Sequence, residues 1–197
     1  IDSISAFQDQ IEAIILPKTQ SFDFLATLAP MIDFKNKLVP LIETSRAIET
    51  VTQIAAFKDV VGLFFGAADA SASLGCKLAW EPLLYARHRV VLAASMFNLF
   101  TIDAPYFYID KMAGLKEEAE AVKNLGFTGK AAIHPDQIDY INEAFSPSAE
   151  EKAEAKKVLE EYQKSGGGAI KVDGQMIDEP IAEAMRLKIT LGEEEKK

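Results

Sequence analysis

A regular alternation of short apolar runs with longer helical segments constrains the fold of this 197-residue chain more than any other feature. Each apolar run is followed by a segment whose apolar residues recur at helical spacing. The predicted strands cover residues 13–16, 37–42, 60–65, 99–104 and 130–133. Because a strand followed by a helix returns to a parallel neighbour, this alternation predicts an α/β fold with a parallel sheet. A (β/α)₈ barrel and an open doubly wound sheet both fit the pattern.

The segments that flank this alternation follow a different pattern. Helices are predicted over residues 4–11, 149–164 and 181–191, and a hairpin over 169–177. The hairpin prediction rests on Asp173-Gly174, which stands between two short apolar segments. The apolar residues that the hairpin offers for docking are Ile170, Val172, Met176 and Ile177. We therefore divide the chain into a main domain over 1–147 and a C-terminal arm over 148–197.

Two acidic residues follow neighbouring predicted strands at the point where each strand ends. Glu43 comes directly after the run 37–42, and Asp69 follows the run 60–65 just beyond Gly66. Parallel α/β folds keep their chemistry at this edge of the sheet, and two carboxylates there could hold one hard cation such as Mg²⁺. The alternative is that both acids belong to the first turns of helices, where Asp and Glu are favoured.

The net charge and the single cysteine indicate which partners and which cellular compartment to expect. A net charge of −9 argues against nucleic acid and anionic membrane surfaces as partners. Cys76 is the only cysteine, so the chain forms no internal disulfide, and a reducing, cytoplasmic location is expected. No apolar run approaches the roughly 18 residues of a membrane span. No glycine-rich dinucleotide fingerprint follows any predicted strand.

Several motifs, taken in order, carry a resemblance to a known family. They are ILPKT at 15–19, PLIETSRAI at 40–48, FGAADASASLG at 65–75, LLYARHRVVLAA at 83–94, GFTGKAAIHPDQI at 126–138, FSPS at 145–148 and VDGQMIDEP at 172–180. Single pieces are weak, but the ordered set covers essentially the whole chain. It resembles the citrate lyase β-subunit family of the HpcH/HpaI aldolase superfamily, whose relatives include malyl-CoA and citramalyl-CoA lyases.

The resemblance implies a TIM-type (β/α)₈ barrel of which this chain carries the last five strand–helix units, followed by the C-terminal arm. A full barrel has about 250 residues, so we expect about a hundred residues to precede Ile1 in the complete protein. In the family, those early strands carry an arginine that holds the substrate carboxylate. No residue of this chain can receive that role.

The resemblance also implies roles for three acidic residues. Glu43 and Asp69 match the carboxylates that bind Mg²⁺ and, through the metal, the substrate. Asp178 matches a catalytic aspartate on the arm that reaches the active site of a neighbouring subunit, so a homo-oligomer, a trimer or hexamer, is expected. From the residues alone, a helix N-cap is the favoured interpretation of Asp178, because Glu179-Pro180 follows it, and the resemblance reverses this preference.

The function that the resemblance implies is Mg²⁺-dependent cleavage of a carbon–carbon bond in a 3-hydroxyacyl-CoA, such as citryl-CoA or malyl-CoA. One alternative is a CoA-independent aldolase acting on pyruvate or oxaloacetate. This alternative arises because Ala68 stands where thioester-lyase relatives often carry Glu. The other alternative is a truncated, non-catalytic subunit.

Four basic residues are candidates for supporting roles. Lys18 follows the first predicted strand, where it would orient the carboxylates or pair with one of them. Arg87 and Arg89 belong to one long helix and are expected to face solvent or another subunit. Lys130 is a candidate for the local positive charge that coenzyme A requires.

Overall fold

The computed structural model of this chain describes residues 10–32, 37–166 and 168–194. Most of the helix predicted over 4–11 lies outside these residues. The chain divides into two compact units, Ile1–Ile141 and Asn142–Lys197. The predicted boundary, between residues 147 and 148, lies slightly further along the chain. No helix among the described residues is both long and apolar enough to cross a lipid bilayer.

The first unit is built around a five-stranded sheet in which every neighbouring pair is parallel. The strands are β1 (Ile14–Leu16), β2 (Leu38–Ile42), β3 (Gly62–Phe65), β4 (Phe100–Asp103) and β5 (Gly129–Lys130). Their order in space is the same as their order along the chain. Each strand therefore lies beside the previous one, which confirms the predicted α/β fold with a parallel sheet.

Helices connect successive strands of this sheet. They are α1 (Phe22–Ile32), α2 (Ser45–Glu49), α3 (Val51–Ala55), α4 (Ala67–Leu74), α5 (Trp80–Ser95) and α6 (Met112–Leu125), and a further helix, α7 (Ile138–Phe145), follows the last strand. Both α4 and α6 end at glycines in the left-handed conformation, Gly75 with φ 67° and Gly126 with φ 104°. Glycine adopts this conformation without steric cost, so these two residues stop the helices cleanly.

One face of the sheet is deeply buried, and the other is less well covered: Leu41, Phe64 and Ile102 lie side by side on it and are half-buried, and Ile15 of β1 is 48% exposed. Apolar side chains from β2 and β3 are almost fully inaccessible, namely Leu38, Val39, Ile42, Leu63 and Phe65. Side chains of the surrounding helices are equally inaccessible, among them Val51, Ile54, Leu83, Val90, Leu115 and Val122. This core fixes the carboxyl edge of the sheet, by which we mean the edge where all five strands end.

The fifth strand is shorter and ends earlier than the sequence predicts. The prediction covered residues 130–133, whereas the strand is Gly129–Lys130, and one further backbone bond joins Ala131 N–H to Asp103 O at 2.9 Å. The chain then leaves the sheet because Ile133 N–H donates to the side chain of Gln137 at 2.9 Å. An internal side-chain acceptor thus replaces the neighbouring strand.

A buried ion network joins β4, β5, α5 and α6. Asp103 is fully buried and accepts from Arg87 Nε at 2.9 Å and from Lys130 Nζ at 2.8 Å. Lys130 Nζ also donates to Glu118 Oε1 and to Ala104 O, both at 2.7 Å. The two cations and two carboxylates balance, which removes most of the cost of burying them.

The expectation that Arg87 faces solvent is wrong, since only 3% of the residue is exposed. Its guanidinium lies over the rings of Phe65 at 5.2 Å and Trp80 at 4.7 Å. Arg87 comes four residues after Leu83 and three before Val90, so it shares their buried helix face. The prediction of solvent exposure rested on the basic run Arg87-His88-Arg89 and overlooked this spacing.

The second unit consists of two helices and a hairpin. Helix α8 (Ala149–Lys164) begins with a capping box, and β6 (Ile170–Val172) pairs antiparallel with β7 (Gln175–Ile177) before α9 (Glu179–Glu194). The turn residues Asp173 and Gly174 both have positive φ, 48° and 90°, as the predicted tight hairpin needs. The unit has its own apolar cluster: Val158, Leu159, Tyr162, Val172, Ile177 and Ala182, with Ile170, Ile181, Met185 and Ile189 against it.

Three of the four hairpin residues expected to dock elsewhere therefore pack within the unit itself. Ile170, Val172 and Ile177 contribute to its cluster, while Met176 remains 62% exposed. Adjacent strand residues point to opposite faces, which explains why Met176 differs from Ile177.

We predict that Asp103→Asn lowers the free energy of unfolding by roughly 3–5 kcal/mol, because it removes the carboxylate charge that faces the buried Arg87 and leaves Lys130 with Glu118 alone. Denaturant unfolding of the whole protein measures the effect. The matched control is Asp110→Asn, since Asp110 is exposed. Equal stability of the two variants would show that the buried network contributes little to the fold.

Candidate active site

Two carboxylates converge on one ammonium group at the carboxyl edge of the sheet. Lys18 Nζ lies 2.9 Å from Asp69 Oδ1 and 3.4 Å from Glu43 Oε1. Lys18 follows β1, Glu43 follows β2, and Asp69 follows β3. Three neighbouring strands thus supply one charged side chain each to a single cluster, which we call the carboxylate pair with its lysine.

Glu43 is the fixed member of this cluster. It directly follows the last residue of β2, and only 3% of it is exposed. Gly66 lies against it: a Cβ at Gly66 would stand 2.7 Å from Glu43 Cβ and 3.1 Å from Oε2. A larger residue at position 66 would displace the carboxylate, so the glycine after β3 is part of the site.

Asp69 is the accessible member. It lies in the first turn of α4, and its side chain is 56% exposed. Its contact with the Lys18 ammonium, and to a lesser extent the neighbouring Glu43 side chain, lowers the pKa of the Asp69 carboxyl. The first-turn position also favours the charged form. The sequence offered Asp69 either as one of two cation-binding carboxylates or as an acid in the first turn of a helix. The two positions are compatible, because Asp69 lies in the first turn of α4 and also beside Glu43.

Lys18 contacts Glu43 twice, through its backbone and through its side chain. The Lys18 N–H donates to Glu43 Oε1 at 2.8 Å, in addition to the ammonium contact. Lys18 has a φ of 56°, a conformation that residues other than glycine adopt rarely. The hydrogen bond to Asp69 is the main cause that raises the pKa of the Lys18 ammonium. The sequence offered two roles for Lys18, orienting the carboxylates or pairing with one of them, and in the structure Lys18 contacts both.

This arrangement has the chemistry of a magnesium site with open positions. Hard oxygen donors suit Mg²⁺, which uses one or two carboxylates and fills its remaining positions with water and substrate oxygens. Glu43 and Asp69 already bracket one cation. No group of three or more His, Cys, Asp or Glu side chains with metal-binding geometry occurs among the described residues.

A cavity of about 280 Å³ opens near Ala67, two residues before Asp69. Its other walls include Trp80, Arg87, Tyr106, Phe107, Tyr108 and Glu118. The Nη1 atom of Arg87 is buried, and within the described part of the chain it has no hydrogen-bond partner. Sequence reasoning missed this cavity, although the run of three aromatic residues after β4 was a usable signal.

Asp178 belongs to the second unit, where it caps α9. Its Oδ1 accepts from Ile181 N–H at 3.3 Å, and its backbone carbonyl accepts from Ala182 N–H at 2.9 Å. This is the N-cap arrangement that the sequence offered as the alternative for this residue. Its catalytic role remains a prediction.

Comparison with known proteins identifies relatives over most of the chain. The family model for HpcH/HpaI aldolase/citrate lyase matches residues 1–135. Human mitochondrial citramalyl-CoA lyase is 33% identical over 91% of this chain and 59% of its own length. The citrate lyase subunit beta-like protein of Mycobacterium tuberculosis is 34% identical over 85% of this chain and 62% of its own. The chain thus spans about three fifths of these relatives.

Solved structures agree with this relationship. CitE from M. tuberculosis, in complex with magnesium, acetoacetate and coenzyme A, superimposes with a TM-score of 0.82 at 32% identity, covering 92% of this chain and 68% of CitE. RipC from Yersinia pestis gives a TM-score of 0.69 at 39% identity, covering 76% of this chain and 72% of RipC. With its motifs, its parallel sheet and these similarities, the chain belongs to the HpcH/HpaI aldolase/citrate lyase family.

Proposed function

We propose that this protein is a Mg²⁺-dependent lyase that cleaves a carbon–carbon bond of a 3-hydroxyacyl-CoA by an aldol-type reaction. The proposal rests on one observation: the Glu43 and Asp69 carboxylates converge on a single cation, the Lys18 ammonium, at the carboxyl edge of the sheet. Relatives named as citramalyl-CoA lyase, and the CitE structure with magnesium, acetoacetate and coenzyme A, support it.

In the proposed site Glu43 and Asp69 hold the metal and, through it, orient the substrate. When bound, Mg²⁺ acts as a Lewis acid that stabilises negative charge on a substrate oxygen. Glu43 is held by the Lys18 N–H and by Gly66, so its carboxylate is oriented before any ligand arrives. Asp69 projects from a helix into solvent and can adjust to the ligand.

The proposed reaction breaks the bond between C2 and C3 of the acyl chain. The 3-hydroxyl releases its proton to water and becomes a carbonyl, while the electron pair of the broken bond passes to C2, next to the thioester. C2 then needs a proton. We propose that Asp178, on the arm of a neighbouring subunit of a homo-oligomer, moves this proton. The exposed Met176 on the adjacent hairpin supplies one apolar contact for such docking.

We also propose that the five strands form part of a closed (β/α)₈ barrel. In the described sheet, β1 and β5 are edge strands, each paired on one side. Unpaired edges of a buried parallel sheet are unfavourable, and barrel closure removes them. The greater length of the relatives is consistent with additional strands.

A second candidate function is a CoA-independent aldolase that acts on a 2-oxo acid such as pyruvate or oxaloacetate. It is favoured by Ala68, which precedes Asp69 where thioester-lyase relatives often carry Glu. Solved structures from M. tuberculosis also support it: CitE in complex with magnesium and pyruvate, and the citrate lyase beta subunit in complex with oxaloacetate and magnesium. The same two carboxylates would serve this reaction. Turnover of matched substrates with and without the CoA thioester distinguishes the two.

We predict that Asp69→Asn weakens Mg²⁺ binding by at least the roughly 10–100-fold typical of perturbing the outer shell of a metal site, because it removes a ligand itself. Calorimetric titration of the whole protein with Mg²⁺ measures the change. Asp136→Asn is the matched control, because the Asp136 side chain is 72% exposed and follows β5. Unchanged affinity in the folded Asp69 variant would remove the metal-site proposal.

We predict that Asp178→Asn abolishes turnover and leaves Mg²⁺ affinity, assembly and thermal stability close to wild type. Asn caps helices about as well as Asp, so this substitution separates catalysis from capping. Asp178→Ala should lose turnover and also some stability.

Mixing the Asp178→Asn and Asp69→Asn proteins tests whether the site is shared between subunits. Subunit exchange should restore part of the activity, since a mixed interface joins an intact metal site to an intact arm. If mixed oligomers form from two folded variants and stay inactive, Asp178 acts only as a helix cap.

A further inference from the structure

Lys18 and a divalent cation require the same two carboxylates. We infer that Lys18 is a built-in counter-ion that competes with the metal for Glu43 and Asp69 and thereby sets the metal affinity of the site. The inference rests on the proposed metal-binding function and goes beyond it, because it assigns control of that function to a residue that does not ligate the metal.

The distances place the ammonium in direct competition with a metal ion. Lys18 Nζ lies 2.9 Å from Asp69 Oδ1 and 3.4 Å from Glu43 Oε1. A magnesium ion held by both residues would use the carboxylates that the ammonium contacts. Two cations so close together repel each other strongly, so the ammonium must move away when the metal binds.

Burial explains why a competing cation belongs at this position. Only 3% of Glu43 is exposed, so water cannot solvate its carboxylate fully. A buried carboxylate without a partner is strongly destabilising. The Lys18 ammonium supplies that partner, and a metal ion can take its place. Asp69, with 56% of its side chain exposed, has less need of a counter-ion because water reaches it.

The two contacts between Lys18 and Glu43 differ in how easily they can be broken. The backbone N–H, at 2.8 Å, belongs to a chain segment fixed by the buried Thr19, whose hydroxyl donates to Leu16 O. The ammonium, at the longer distance of 3.4 Å, ends a flexible side chain that is 58% exposed. The ammonium can therefore leave for water, where it is well hydrated, while the N–H keeps Glu43 oriented.

The backbone conformation of Lys18 supports a role for this side chain. Its φ of 56° lies in the left-handed region, which glycine adopts most readily. A lysine there carries a conformational cost that glycine would avoid, and such costs concentrate at functional positions. The conformation places both cationic side chain and backbone donor against the same carboxylate.

Three substitutions of Lys18 and one control test the inference in the whole protein, with Mg²⁺ alone as the ligand. Lys18→Met removes the charge, and Lys18→Gly removes it while suiting the positive φ, so loss of folding in one variant does not prevent the test. Lys18→Arg keeps a cation. The control, Lys58→Met, removes the same charge from an exposed residue far from the carboxyl edge. Lys58 lies near the beginning of the strands, since the next residue, Asp59, accepts a hydrogen bond through its carbonyl from Leu38 N–H at the start of β2.

Lys18→Met and Lys18→Gly should bind Mg²⁺ roughly two- to fivefold more tightly, the range expected when an exposed ion-pair competitor is lost. Both should also show a larger rise in melting temperature on adding Mg²⁺ and a lower melting temperature in chelator. Lys18→Arg should bind Mg²⁺ no more tightly than wild type, because guanidinium pairs well with carboxylates. Lys58→Met should match wild type.

The outcomes separate this inference from the metal-site proposal. If wild type binds Mg²⁺ and Asp69→Asn does not, while both charge-removing Lys18 variants keep wild-type or weaker affinity, Lys18 does not compete and the metal site stands. Equal tightening in Lys58→Met would reduce the effect to overall charge and also overturn the inference. If neither wild type nor any Lys18 variant binds Mg²⁺, both proposals are wrong.

Discussion

Compensation of charge at the carboxyl edge of the parallel sheet is the constraint on which the rest of this structure depends. Each strand end brings a charged side chain to that edge, directly or within a few residues. Acids follow or end the inner strands, and cations follow or end the outer ones. Lys18 after β1 neutralises Glu43 after β2, and Lys130 at the end of β5 neutralises Asp103 at the end of β4. Without these pairs the buried Glu43 would have no cation beside it, and the buried Asp103 would keep only Arg87.

Burial divides these pairs into a structural one and an exchangeable one. The side chains of Asp103 and Lys130 are both completely inaccessible, so neither partner can be replaced by water or by an ion from solution. The side chain of Lys18 is 58% exposed while that of Glu43 is 3% exposed. The same electrostatic requirement therefore fixes both partners on one side of the sheet and leaves an accessible ammonium on the other, which is where we propose that a metal ion binds.

Sequence patterns predicted the elements that depend on periodicity, and they failed where tertiary contacts decide. The alternation of strands and helices and the Asp173-Gly174 hairpin follow from local spacing and turn chemistry. Glu43 and Asp69 could be paired from their positions after neighbouring strands. The burial of Arg87 could not be predicted, because its partner Asp103 is sixteen residues away along the chain and the residues that follow Arg87 are basic. The early end of β5 likewise depends on a side chain in the following turn.

The two carboxylates differ in how firmly they are held, so one rigid sheet presents both a fixed acidic side chain and an accessible one. Glu43 is held from two sides, by the Lys18 N–H and by the close approach of Gly66, so its position costs nothing further when a ligand binds. Asp69 stands on the first turn of α4, where it is accessible and where the helix end favours its anionic form. A fixed ligand defines where a metal sits, and an accessible one leaves the remaining positions open to water and substrate oxygens. A fixed and an accessible carboxylate can stand side by side because a buried acid, Glu43, follows one strand and a glycine, Gly66, follows the next. The helix that begins after Gly66 then carries Asp69 in its first turn.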